Sequence, residues 1–391
     1  MNDKEKVLFE IREENLETGL RGFPVGYCTT SSVDPIKGLI YAGYPIDQVA
    51  FWPPEEVIFL LMHGKKGEES QVKEFSEELK AQATLSNEVI EHIKALPKKG
   101  HPMKSFPIAI LLLGMLEGKE DYRKDCMSLI AKMPHLTAVL INSHAGWGET
   151  PPPDPELGYM QNFVNMLQLP GGKSEMLERV LTLFNILHYD HGGGNLSTFV
   201  GKAVASGLED LYGSITSAMS ALAGPRHGKA NQESLEFTKE ALKKSGAKAS
   251  PDAIEGFLRQ KLANKELIYG FGHAVLRVED PRATVQYKMA EEFYSDNPLV
   301  KAALNLRKAG TKVLKENPKI TNPYPNVDAI SGTLLTAAGF GYPEYYTVLF
   351  GLSRVVGISI QIVYERCEAR GGKGTPIVRP KYLYKPKTAS T

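Results

Sequence analysis

Two histidines and an aspartate in this chain sit in turns whose composition suits chemistry. His227 lies in GPRHG at 224–228, just ahead of a helical stretch that begins near Lys229. The positive end of that helix disfavours imidazolium, and a neutral imidazole N–H can donate to an oxygen gaining negative charge. A histidine that only fills a helix-to-helix turn is the plain alternative. His273 lies in YGFGHAVLRVEDPR at 269–282, with Arg277 and Arg282 close behind. Gly270 and Gly272 let the backbone approach a ligand there. The pair lacks the full dinucleotide spacing and a preceding strand, so it reads equally as a turn carrying solvated arginines. Asp328 lies in NVDAISG at 326–332, at the expected start of a helix. It can cap that helix, or serve as a general base that the helix end helps to hold ionised.

A fourth cluster, HYDH at 188–191, precedes a glycine run and Asn195. His188 and His191 with an aspartate between them invite a metal reading. No third ligand stands at a standard spacing, so a core or substrate-contacting histidine is the better account. GGKGT at 371–375 lacks the rest of a phosphate-loop pattern and reads as a surface loop.

The elements that must position these turns are almost all helical. Apolar residues recur three and four apart around 69–82, 86–96, 104–117, 173–188, 229–244, 280–293 and 299–315. Ser250 and Asp280 each stand before a proline, as a cap before the first helical position. Strand-like sequence is confined to about 24–42 and predicts one small hairpin.

Bulk composition bounds the rest. With 391 residues, 42% of them hydrophobic, the chain can build two or three domains on ordinary cores, without disulfide or metal staples. Lys+Arg 46 against Asp+Glu 45 gives no basic surface for nucleic acid. Cys28, Cys126 and Cys367 form no close pair and fit a reducing compartment. The start, MNDKEKVLFEIREEN, is charged and acidic, unlike a secretory or transit segment. The longest apolar run, 106–116, is too short to span a bilayer. These features lead to the expectation of a cytoplasmic protein with no membrane partner.

Taken in order, GPRHGKAN, GFGHAVLRVEDPR and NVDAISG resemble the three catalytic blocks of the citrate synthase family. Leu20 to Gly22 with Gly43 and Tyr44, His101 to Met103, Asn162 with Phe163, Tyr346 to Arg354, and Arg379 to Lys381 extend the resemblance over nearly the whole chain. It implies an all-α homodimer of the citrate synthase fold. Residues 1–228 would form the first part of a large helical domain, 229–339 a small domain closing over the active site, and 340–391 a return to the large domain and an arm to the partner.

The resemblance also implies an activity and a set of roles. Acetyl-CoA would condense with oxaloacetate, and thioester hydrolysis would release citrate and CoA, the entry step of the tricarboxylic acid cycle. No cofactor would be permanently bound; acetyl-CoA is a co-substrate. Asp328 would take the methyl proton, His227 would donate to the enolate oxygen, and His273 would donate to the keto oxygen of oxaloacetate. His191, Arg282, Arg354 and the partner-donated Arg379 would hold oxaloacetate. Arg277 and Arg21 would meet CoA phosphates, and the backbone of 268–276, including Gly270, Phe271, Gly272 and Ala274, would hold the adenine. Ala42, Tyr269 and Ile330 depart from common family residues, and GGKGTP lengthens the loop before Arg379, which bears on the CoA contacts and acyl choice. The alternatives are a 2-methylcitrate synthase using propionyl-CoA, a turnover-less dimeric binding protein, and a metal-dependent hydrolase resting on His188 and His191.

Overall fold

The computed structural model describes residues 7–246 and 249–386. The first six residues of the charged start and the last five of the expected C-terminal arm lie outside that description.

Sixteen α-helices run through the described residues. The helices expected from the periodicity lie where it puts them: Glu69–Gln82, Asn87–Lys94, Ser105–Glu117, Glu175–His188, Ala230–Ser245, Pro281–Tyr294 and Pro298–Lys315. Both proline-led starts are capped as expected. Ser250 accepts the Ala253 N–H, and Asp280 accepts the Arg282 N–H. The β region is slightly larger than a hairpin. Strands β1 (Ser31–Asp34), β2 (Gly38–Tyr41) and the two-residue β3 (Tyr44–Pro45) form one antiparallel sheet, with Ser31 opposite Tyr41 and Tyr41 opposite Tyr44.

Two helices that periodicity does not reveal form the centre. Tyr122–Ala145 is buried at nearly every residue from Asp125 to Asn142, and Tyr346–Val363 is buried from Tyr346 to Ile362. A helix enclosed on all sides carries no polar stripe, so its sequence has no amphipathic signature. The stretch Pro343–Glu368 is long and apolar enough to cross a membrane, yet its whole apolar window is buried inside the protein.

Close packing on this central helix fixes two glycines. A glycine inside a helix costs about 0.5–1 kcal/mol relative to alanine. Gly351 faces the Phe106 ring, and a Cβ at Gly357 would lie 2.6 Å from the Asp190 Cβ. The glycine at 357 lets the turn carrying His191 touch the helix that carries Arg354. A second, smaller core gathers Phe237, Ile254, Phe257, Leu258, Leu306 and Val313, separate from the main one and built wholly from the 229–339 segment.

Candidate active site

The turn bearing His227 is shaped by its glycines. The His227 N–H donates to the Gly224 carbonyl at 3.0 Å, and the Gly228 N–H to the Leu222 carbonyl at 2.9 Å. A Cβ on Gly228 would meet that carbonyl at 2.7 Å, so only glycine allows the chain to fold back there. The helix then starts at Ala230. Across from it, the helix Leu196–Ala205, capped by Asn195, presents Ser197. The Ser197 N–H donates to His227 Nε2 at 3.3 Å, and Ser197 Oγ lies 2.8 Å from the same nitrogen. With its Nε2 lone pair engaged, the neutral ring carries its proton on Nδ1. Burial first, and the Arg354 charge second, pull His227 down to about 4. Burial thus keeps the imidazole neutral, in the same sense as the helix start.

His273 has the opposite tautomer. Its Nδ1 accepts the N–H groups of Val275 and Leu276, each at 3.0 Å, which leaves the proton on Nε2. Burial, then Arg282, pull it to about 4 as well. The loop carrying it is stitched to the loop carrying Asp328. The Asn326 N–H donates to the Gly270 carbonyl at 2.9 Å, and its Nδ2 to the Gly272 carbonyl at 3.0 Å. The Gly272 N–H donates to Tyr324, the Asp280 N–H to Pro325, and Asn322 Nδ2 to the Leu276 carbonyl. The spacing between His273 and Asp328 is thus set by backbone.

Asp328 is the first residue of the helix Asp328–Ala337, not its cap. Asn326 Oδ1 accepts its N–H at 3.0 Å. Burial pushes its carboxyl up to about 6, against the pull of Arg282. The helix start therefore does not hold it in the ordinary carboxylate range; the site makes it a stronger base.

Two buried guanidinium groups face these residues. Arg282 is paired with Asp280 through Nη2–Oδ2 at 2.7 Å and Nε–Oδ1 at 3.0 Å. Burial lowers its pKa, and Asp280 more than offsets that. Arg354 donates Nε to the His188 carbonyl at 2.9 Å and lies over the Phe350 ring, which also faces His188 and His227. Burial pulls Arg354 down to about 10. It stays charged at neutral pH. His191 is T-shaped against His273 with centroids 5.2 Å apart, and its Nε2 is buried without a partner. Burial and both arginines hold it well below the usual histidine range.

The charges of Arg282 and Arg354 between them reach His191, His227, His273 and Asp328, so the three turns meet around one charged centre. What this centre can do is hold a dianion, take a proton with Asp328, and donate two neutral N–H groups.

The remaining expected site residues lie on the loop around His273 or toward the chain ends. Arg277 turns its guanidinium onto the carbonyls of Val275 and Leu276 at 2.9 and 2.8 Å. Arg21 and Arg379 are exposed and join none of these contacts, and Ala274 is exposed. Phe271 packs against Gly310. Asp190, between the two histidines of the metal reading, accepts hydroxyls from Thr30 and Ser31 and the amide of Gln361. Ser197 went unnoticed in the sequence, although a glycine run ending in Asn-Leu-Ser-Thr signals a helix start aimed at that turn.

Gly270 is the tightest point of the stitched loops. Its φ is +79°, and a Cβ would lie 2.8 Å from both Ala329 Cα and Ser234 Oγ. Gly270→Ala adds left-handed strain of about 1–2 kcal/mol and pushes on the residue after Asp328. A lowered melting temperature and a kcat loss of about tenfold or more are expected. Unchanged melting and rate would show the loops to be less tightly coupled.

Comparison with known proteins places this geometry. The family model for the citrate synthase C-terminal domain matches residues 19–381. The mitochondrial citrate synthase of Citrus maxima is 36% identical over 387 residues, covering 93% of this chain and 80% of that one. The peroxisomal citrate synthase of Saccharomyces cerevisiae is 34% identical over 392 residues, covering 94% and 84%. The crystal structure of citrate synthase from Thermotoga maritima superposes with a TM-score of 0.81 at 28% identity, covering 96% of this chain and 97% of that one. The citrate synthase of Pyrobaculum aerophilum gives 0.80 at 27%, covering 96% and 93%. These relatives overturn the expectation of a cytoplasmic protein, since those from eukaryotes are mitochondrial or peroxisomal.

Proposed function

The chain belongs to the citrate synthase family, and from that premise we propose how its residues carry the condensation of acetyl-CoA with oxaloacetate. The observation that carries the assignment is the pair of neutral imidazoles with opposite tautomers that share the charges of Arg282 and Arg354 with a carboxyl raised to about 6.

The methyl group of acetyl-CoA is a very weak acid. A free aspartate, with a pKa near 3.9, is a poor base for it. Burial of Asp328 narrows that gap, and His227 narrows it from the other side. Its Nδ1–H donates to the thioester oxygen as the methyl proton leaves, stabilising the enolate as it forms. The enolate carbon attacks the keto carbon of oxaloacetate, and His273 Nε2–H donates to the oxygen that becomes the citrate hydroxyl. Arg282, Arg354 and His191 hold the oxaloacetate carboxylates, each charged hydrogen bond contributing about 1.5–3 kcal/mol. Hydrolysis of citryl-CoA releases citrate and CoA and drives the reaction forward. No step calls for a permanently bound cofactor.

The segment 229–339 acts as the small domain that closes over both substrates; its separate core supports this. The protein works as a homodimer. Ile108, Leu111 and Met115 on the helix Ser105–Glu117 are exposed, as are Tyr382 and Tyr384 near the C-terminus, and covering such apolar surface favours association. Exposed Arg379, in the same tail, then completes the oxaloacetate site of the partner. Arg21, Arg277 and the backbone of Gly270, Phe271, Gly272 and Ala274 meet CoA in the closed dimer.

Thiol release measured with oxaloacetate and either acetyl- or propionyl-CoA tests the assignment. Faster turnover with acetyl-CoA is expected. One methylene in a pocket is worth about 1–3 kcal/mol, so the preference should be roughly tenfold or greater. A clear preference for propionyl-CoA would move the chain to the 2-methylcitrate branch of the fold.

A further inference from the structure

Asp190 immediately precedes His191 and is fully enclosed. A carboxylate so placed is tolerated only with donors, and it has three. Its Oδ2 accepts the hydroxyls of Thr30 and of Ser31, the latter at 2.8 Å, and its Oδ1 accepts Gln361 Nε2 at 2.8 Å. The bonds continue outward. Ser31 Oγ accepts the Gly192 N–H at 2.8 Å, on the far side of His191. Gln361 Oε1 faces Lys202 Nζ at 3.3 Å, and Lys202 pairs with Glu365 at 2.9 Å, both side chains only 11% exposed. With an ammonium on its oxygen side and a carboxylate on its nitrogen side, the Gln361 amide has one orientation.

The frame matters because, among the described residues, the His191 ring has no hydrogen-bond partner; its Nε2 is buried. The ring is therefore held by what grips its neighbours. Tyr41 Oη adds to that grip, lying 3.1 Å from the Asp190 nitrogen and 3.3 Å from its carbonyl oxygen. Gln361 stands seven residues after Arg354 in one helix, hence on the same face. Gln361 thus ties the His191 turn to the element that carries the guanidinium.

We propose that Asp190 is a positioning residue for the oxaloacetate end of the cleft: through Ser31 and Gln361 it fixes the spacing between His191 and Arg354. The inference rests on the oxaloacetate reading given above. Asp328 lies on another element, so loosening this frame weakens capture of the keto acid before it slows the chemistry.

The test is steady-state kinetics of wild type, Asp190→Asn and the exchange Asp190→Asn with Gln361→Glu. Asparagine turns one acceptor into a donor, facing either the Gln361 amide or the Thr30 and Ser31 hydroxyls, and removes the charge that all three donors serve. KM for oxaloacetate should rise about tenfold or more, with KM for acetyl-CoA and kcat within about threefold. In the exchange variant, the carboxylate introduced at position 361 accepts from the amide introduced at position 190 and meets Lys202, and KM for oxaloacetate should return to within about threefold of wild type. An unchanged KM for oxaloacetate in Asp190→Asn, a parallel change of all three constants, or no recovery in the exchange variant would each overturn the proposal. Should Asp190→Asn fail to fold, Gln361→Met removes the same link from the other side and must show the same selective rise, or the proposal falls. Wild-type turnover that ignores oxaloacetate would instead remove the parent reading, so the two failures are distinct.

Discussion

Asp328→Asn should lose about three orders of magnitude in kcat and yet melt at a higher temperature than the wild type at pH 8. The first effect follows from the role of the base: an amide cannot take the methyl proton, and nothing else in the centre is both basic and placed to do so. The second follows from the carboxyl being raised from 3.8 to about 6 by burial. A folded-state pKa above the unfolded one means that the folded protein favours the protonated form. The stability this lends is fully present below about pH 3.8 and is lost as pH rises through about 6. Above that, the ionised carboxylate is a net burden, which the isosteric amide removes. The same value fixes the rate profile. For wild type, kcat/KM should rise with pH through about 6 and level off above it, since only the ionised carboxylate is a base. Residual turnover in the variant should lack that limb. A kcat within about tenfold of wild type, or a variant that melts lower at pH 8 and equally at pH 4, would contradict the assignment. The combination is diagnostic because a merely damaged fold lowers both properties.

The sequence showed the turns well and their coupling poorly. His227, His273 and Asp328 stood out because glycine, proline and asparagine beside them mark sharp changes of chain direction, which are local. Helices with one wet face were readable to within a residue or two, whereas Tyr122–Ala145 and Tyr346–Val363, enclosed on every side, had no stripe to read. What local pattern cannot carry is a bond between distant positions. Thr30 and Ser31 meet Asp190 across 160 and 159 residues, and Gln361 meets it across 171. The histidine tautomers depend on such partners too: Ser197 is 30 residues from His227. One electrostatic expectation went astray for a related reason. The helix ends beside His227 and Asp328 were visible in the sequence. Burial, which acts with the helix start at His227 and against it at Asp328, appears only once the chain is packed. Likewise Arg21 and Arg379 match the family pattern, but both are exposed and, among the described residues, bond to none of the centre.

His227→Ala should lower kcat by about 10²–10³, the loss of one preorganised donor worth about 2.7–4 kcal/mol, while KM for oxaloacetate changes little. The separation is expected because Arg282, Arg354 and His191 sit on other elements and remain charged or unpartnered as before. His227→Asn, which offers an amide N–H in place of Nδ1–H, should recover part of the loss. The pH profile sharpens the claim. An imidazolium acting as acid would lose activity as pH rises through its pKa. His227 is held at about 4, so it is already neutral across the working range, and the only limb near neutrality is the rising one of Asp328. Methyl hydrogen exchange of acetyl-CoA in heavy water, with oxaloacetate replaced by a non-reacting analogue, isolates the step. Exchange should collapse in His227→Ala and in Asp328→Asn alike. The double variant should be scarcely slower than the worse single one, because base and enolate donor act on one transition state and cannot be lost twice. Strictly additive losses would mean that the two side chains serve different steps, and the cleft would then need another account of how so weak an acid is deprotonated.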